Sequence, residues 1–205
     1  MGPSLILLTP AAAHEKRVAR HGMMTVRAAQ DGVEIDAMVV MRVGGERAVS
    51  VLSRYDLNRD GKLNAAEGAL LADSVSPDVM GGLVLRQGKV ALKPTAAEGR
   101  ARRVERDLFE VAILVTWPAR LEAGTAFSIR ETVGHMGASQ TAIQMQASAL
   151  PPLSLRTARG LGRKGIVGPA VLSPESPAFV FTVRDARIAP GDGQRTQRTG
   201  LSPAP

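Results

Sequence analysis

Val33-Glu34-Ile35-Asp36-Ala37-Met38-Val39-Val40-Met41 is the stretch that decides the fold. Val33, Ile35, Ala37, Val39 and Met41 fall on one face of an extended chain, with Glu34 and Asp36 on the other. Period-two alternation of this kind describes a strand that buries one side and wets the other. The same pattern returns at Phe109, Val111, Ile113, Val115 and Trp117, set against Glu110, Ala112 and Thr116. Shorter versions follow at Phe127 and Ile129, at Ile143, Met145 and Ala147, and at Phe179, Phe181 and Val183.

Two turn signals join such runs into hairpins. Gln30-Asp31-Gly32 separates the run 24–29 from the strand beginning at Val33, and Asp-Gly is a strong short-turn dipeptide. Gln87-Gly88 separates 83–86 from 90–93. Seven or eight short strands punctuated by Gly and Pro predict a mainly β fold, an antiparallel β-sandwich.

One segment breaks the pattern. Residues 56–67 read Asp-Leu-Asn-Arg-Asp-Gly-Lys-Leu-Asn-Ala-Ala-Glu. A hard cation such as Ca2+ takes about six to eight oxygens, and the EF-hand loop supplies them from positions 1, 3, 5, 7, 9 and 12 with Gly at 6. Those places hold Asp56, Asn58, Asp60, Lys62, Asn64 and Glu67, with Gly61 at the turn. Asp56 and Asp60 offer anionic oxygens on short stems, and Asn58 a neutral carbonyl. Lys62 contributes its backbone carbonyl, Asn64 coordinates through water, and Glu67 is long enough to clamp the ion with both oxygens. Gly61 can take the positive φ of a sharp turn.

The flanks carry helical spacing. Ala48, Val51, Leu52 and Tyr55 fall at i, i+3, i+4, i+7 before the loop, and Leu71, Ala72 and Val75 repeat the spacing after it. The second helix is expected to stop at Ser76-Pro77, because a residue before proline avoids the helical region. The helix-loop-helix, at about 44–82, then reads as an insertion between the second and third strands.

Composition narrows the function classes. The chain has 205 residues and a net charge of +7, from 26 Lys and Arg against 19 Asp and Glu. Aromatic residues make up 3%, which argues against nucleic-acid binding by base stacking. The basic clusters Arg100, Arg102, Arg103, Arg106 and Arg156, Arg159, Arg163, Lys164 are expected on solvated loops. No cysteine is present, which excludes disulfides, thiolate zinc sites and cysteine nucleophiles. Gly-x-Ser-x-Gly, His-Glu-x-x-His and a phosphate loop are all missing, so a non-enzymatic domain is expected.

The ends carry their own signals. Ser4-Leu5-Ile6-Leu7-Leu8-Thr9-Pro10 is a short apolar run followed by Ala11-Ala12-Ala13, an A-x-A exit of the kind found at signal-peptidase sites. Residues 1–13 are therefore expected to be a remnant signal peptide, leaving His14 first, with periplasmic or secreted localisation. No run reaches the length needed to span a bilayer as a helix. The expected organisation is a β domain over 14–189 with the insertion at 44–82, followed by a disordered tail over 190–205, which is polar and rich in breakers.

A signal ending in Ala-His, a hairpin around Asp-Gly, a calcium-loop helix pair, a second hairpin and a long β region together resemble the exported N-terminal domain that precedes nickel/cobalt permease-type membrane proteins in bacteria. The resemblance runs from about residue 14 to residue 131. Asp56, Asn58, Asp60, Asn64 and Glu67 match the EF-hand superfamily position by position. The resemblance implies an envelope location and a membrane transporter or cell-envelope protein as partner. Three carboxylates facing a +2 ion, crowded by Arg54, Arg59 and Lys62, imply an affinity of about 10^-4 to 10^-3 M.

Transition-metal handling for a transporter is the alternative. His14, His21, His135 and the pair Met23-Met24 are the imidazole and thioether ligands it would use.

Overall fold

The computed structural model describes residues 19–105, 108–121, 126–132, 142–158 and 166–186. The expected signal segment, His14, His135, Arg106, Arg159, Arg163, Lys164 and the expected tail lie outside the described residues.

The chain is mainly β. Two long strands, β1 (Ala19–Ala29) and β2 (Gly32–Gly44), form a hairpin whose register places Ala29 opposite Gly32 and Met24 opposite Ala37. The turn is thus Gln30 and Asp31 alone, and Gly32 already belongs to the second strand. A side chain at Gly32 would put Cβ 2.2 Å from the carbonyl oxygen of Ala119, so the close crossing of backbones there requires glycine.

Two helices follow, α1 (Glu46–Tyr55) and α2 (Ala65–Gly82), then β3 (Leu83–Gln87) and the two-residue β4 (Val90–Ala91), turned by Gly88 at φ 56°. The remaining strands are β5 (Ala96–Glu105), β6 (Leu108–Ala119), β7 (Ala126–Glu131), β8 (Ile143–Ala149), β9 (Leu153–Thr157), β10 (Ile166–Leu172) and β11 (Phe179–Asp185). One sheet has six strands in the order β10-β8-β1-β2-β6-β5, and the other has five in the order β4-β3-β7-β11-β9.

The alternating faces read from the sequence are the buried faces. Val33, Ile35, Ala37, Val39 and Met41 on β2 join Val111, Ile113, Val115 and Trp117 on β6, Phe127 and Ile129 on β7, and Phe181 and Val183 on β11 in one apolar cluster. Val111, the least buried of them on β6, is still 4% exposed or less along with its neighbours. Leu71, Ala72 and Val79 of α2 enter the same cluster, and Val51 and Tyr55 of α1 pack against it.

Four expectations are corrected. The described residues hold eleven strands rather than seven or eight, because weakly alternating segments such as β5 and β10 gain their partners from neighbouring strands. The sheets are not wholly antiparallel: β8 runs parallel to β1, pairing Gly22 with Met145 and Met24 with Ala147. Arg100, Arg102 and Arg103 lie on β5 rather than in a loop. Ala97, Gly99 and Ala101 alternate with Arg100 and Arg102 and turn their small side toward α2, and Arg103 shares that face. Small residues carry no strong hydrophobic period, so this strand was hidden.

The helix α2 also continues through Pro77 to Gly82. Buried Ser76 and Val79 hold the segment on either side of the proline against the sheet, and the Ser76 hydroxyl donates to the carbonyl of Ala72 at 2.9 Å. Tertiary packing on both flanks outweighs the local preference to stop.

An ion pair spans the two sheets. Arg20 of β1 donates to Glu131 of β7 through both terminal nitrogens, Nη2 reaching Oε2 at 3.2 Å, and Glu131 is only 6% exposed.

Candidate functional site

Residues 56–64 connect α1 to α2. Asp56 ends α1, its backbone N–H still bonded to the carbonyl of Leu52. Asn64 starts α2 from an extended conformation. Its side-chain oxygen accepts from the backbone N–H groups of Ala66 (2.9 Å) and Glu67 (3.0 Å), while Glu67 accepts in return from the backbone N–H of Asn64 at 3.0 Å. This is a reciprocal capping box, and Asn64-x-x-Glu67 was its sequence signal.

Between these ends the chain winds around its own acidic side chains. Asp56 Oδ1 accepts from the N–H of Asp60 at 3.1 Å and Oδ2 from the N–H of Gly61 at 2.7 Å. Asn58 Oδ1 accepts from the N–H of Asp60 at 3.0 Å, and Asp60 Oδ1 from the N–H of Lys62 at 2.8 Å. Gly61 sits at φ 76°, and Arg59 adopts φ 59°, a left-handed conformation that a non-glycine residue seldom takes.

Glu67 joins the two ends. Its Oε1 accepts from the N–H groups of Leu57 (2.8 Å) and Asn58 (3.2 Å), and Oε2 from that of Asn64. The residue, in the first turn of α2, is 3% exposed. A buried carboxylate needs compensation, and three backbone donors supply it here.

The sequence-predicted ligands therefore lie around a single turn of chain: Asp56, Asn58, Asp60 and Asn64 on its inner hydrogen-bond network, Glu67 across its mouth, and Lys62 exposed on its rim. Among the described residues, no three His, Cys, Asp or Glu side chains converge closely enough to hold a metal ion. Each of the three loop carboxylates is turned toward backbone N–H groups instead. Those contacts use part of each carboxylate's capacity, since an ionised carboxylate has about four lone-pair sites.

Two neighbours that sequence reasoning missed fasten the loop to the six-stranded sheet. Arg103 of β5 donates through Nη1 to the carbonyl of Gly61, and its Nε donates to the carbonyl of Glu105 at 3.0 Å. The register of β5 shifts between Arg103 and Glu105, a local irregularity of the kind that re-aims a side chain. One residue past the loop, a Cβ on Gly68 would lie 2.4 Å from the carbonyl oxygen of Ala101, so α2 rests directly on the backbone of β5. An isolated Arg or Gly carries no periodic signal, and only the tertiary fold brings β5 to the loop.

Of the alternative ligands, only His21 and the Met23-Met24 pair lie within the described residues. The strand divides that pair: Met24 is buried, while Met23 stands on the opposite face and is exposed. No helix among the described residues is long and apolar enough to cross a membrane. No family model, no curated protein and no solved structure matches the chain.

Proposed function

We propose that this chain is an exported, non-enzymatic calcium-binding domain, in which two sheets face one another as a β-sandwich and a single EF-hand, residues 56–67, binds one Ca2+ in a structural role. Asp56, Asn58, Asp60 and Glu67 supply side-chain oxygens, Lys62 its backbone carbonyl, and Asn64 a contact through water.

The observation that carries this reading is the placement of Glu67. A long carboxylate at the twelfth position reaches back across the loop to residues 57 and 58, where a bidentate ligand has to stand to close a cage around an ion. Gly61 at φ 76° and the Asp56 carboxylate beneath the turn give the first half of the loop the matching curvature. Ca2+ entering such a loop would take the lone pairs that the N–H groups leave free.

The ion's role follows from what the loop is fastened to. Glu67 is followed at once by Gly68 on the β5 backbone, and Arg103 holds the opposite side of the turn, so an ion here links α1, α2 and the edge of the larger sheet. Such a bound ion raises the stability of the folded state by RT ln(1 + [L]/Kd), about 2.7 kcal/mol at a hundredfold excess over Kd.

Calorimetry at millimolar Ca2+ tests the assignment. One Ca2+ per chain is expected, with Glu67→Ala abolishing binding. A Glu67→Ala variant that is still folded and binds Ca2+ as the parent does would overturn it, as would a parent whose melting temperature is unmoved by Ca2+ and by chelator.

A further inference from the structure

The outer face of the six-stranded sheet carries a group of soft metal ligands that the calcium loop does not involve. His21, Met23 and Thr25 of β1 point away from the core, because Gly22, Met24 and Val26 between them are buried. The hairpin register sets Met23 directly opposite Met38 of β2 and His21 opposite Val40. Met23 is 49% exposed and Met38 38% exposed. No hydrogen bond or ion pair among the described residues engages the His21 imidazole.

These positions suit a shared ion. Directly opposed Cβ atoms in an antiparallel pair stand about 5 Å apart and diagonal ones about 7 to 8 Å apart. Residues two apart on one strand are separated by about 7 Å. A flexible methionine side chain and an imidazole span those gaps, so two thioether sulfurs and one ring nitrogen can meet above the sheet. Gly22 helps on the other side, leaving room beneath β1 for the side chain of Met145.

The surroundings choose the ion. Hard oxygen donors at both ends of this face are already engaged. Asp36 accepts from Arg27 Nε at 2.9 Å and from the Thr116 hydroxyl at 2.7 Å; Glu34 pairs with Arg27, and Glu110 with Arg42 and Arg102. Exposed Gln144 and Gln146 of β8, paired with His21 and Met23, add only neutral amide oxygens, so the imidazole nitrogen and the two sulfurs stand in a donor set without charge. Thioethers select soft ions, and a ligand set without charge suits a monovalent one better than a divalent one.

We propose that His21, Met23 and Met38 form a surface site for a soft monovalent cation, Cu(I) or its redox-inert analogue Ag(I). The site is independent of the calcium loop and stands whether or not the loop binds Ca2+. Val40, Ala112 and Leu114 beside it extend an apolar strip, and an apolar strip alone would account for two exposed methionines but would not require their sulfur.

That difference makes the test. The full chain, labelled with 13C at the methionine methyl groups, is titrated with Ag+ and followed by NMR. The methyl resonances of Met23 and Met38 are expected to move by one equivalent, while those of buried Met24, Met41 and Met145 stay in place. Met23→Leu and Met38→Leu preserve volume and apolarity, and each is expected to weaken Ag+ binding at least about tenfold, the loss that changes even to outer-sphere partners produce. Cu(I) binding, measured by competition with a chromophoric chelator under reductant, should follow the same order, with His21→Gln also weakened. Unchanged affinity in both leucine variants, or Ag+ shifts confined to Met1, Met80 or Met136, would overturn the site.

Discussion

At the scale of single residues, Gly68 shows how a contact can reverse an intrinsic preference. Alanine in place of a helical glycine ordinarily gains about 1 kcal/mol. Here the added Cβ would stand 2.4 Å from the carbonyl oxygen of Ala101, on a strand already paired with β6. Backbone in a sheet cannot yield as a side-chain tip can, so overpacking at about 1 to 3 kcal/mol should win. Gly68→Ala is expected to lower the thermal midpoint, whereas Gly81→Ala, at a position with nothing within 4 Å, is not expected to show that loss. Equal melts for the two variants would contradict the close packing of α2 on β5.

Glu110 supplies a pH dependence at the same scale. Partial burial pushes its carboxyl group up, but the guanidinium groups of Arg102 and Arg42 together outweigh that and hold it below its ordinary value. A carboxyl whose pKa is lower folded than unfolded contributes stability above the unfolded value. That contribution is therefore complete at neutral pH and is lost as pH falls through the lowered folded-state value. Glu110→Gln should reduce the acid-side slope of stability against pH, read from denaturant midpoints over a pH series; an identical slope in the variant would refute the assignment.

Among the elements, α2 is the one whose start and end were determined by different forces. Its start is local: Asn64 and Glu67 cap each other's backbone, a pattern readable in four residues. Asn64→Ala in chelator is expected to cost about 1 kcal/mol, the usual loss for an N-cap, measured as a shift in the urea midpoint. No shift would mean that the cap contributes nothing beyond the tertiary packing of the helix. Its end is not local, since Pro77 lies inside the helix and buried Ser76 and Val79 carry the chain past it. The loop between the helices had every proposed oxygen position legible, but its attachment through Arg103 was not, because a donor forty-two residues distant leaves no local signature.

For the whole molecule, the Arg20 to Glu131 pair is a buried polar contact that joins one sheet to the other. Removing Arg20 leaves the Glu131 carboxylate, 6% exposed, without its guanidinium partner, at a cost of about 3 to 5 kcal/mol, whereas replacing both with apolar residues of similar volume is often neutral. Arg20→Met should therefore fall well below the parent in a denaturant melt followed by the fluorescence of Trp117, the only tryptophan. Arg20→Met combined with Glu131→Leu should recover most of the loss. A double variant no better than Arg20→Met would show that the pair contributes more than mutual neutralisation.

The sequence alone determined the mainly β character, the buried faces of β2 and β6, the two hairpin turns and the position of both helices around residues 56–67. These are properties of period and of turn chemistry, carried by neighbouring residues and independent of which strand lies beside which. Strand order, the parallel pairing of β8 with β1, the strand nature of β5, the continuation of α2 past Pro77 and the joining of Arg20 to Glu131 were decided only by the tertiary structure. Each depends on contacts between segments far apart in the chain, and the free energy that selects them comes from burying faces against one another, a quantity that no local window of residues contains.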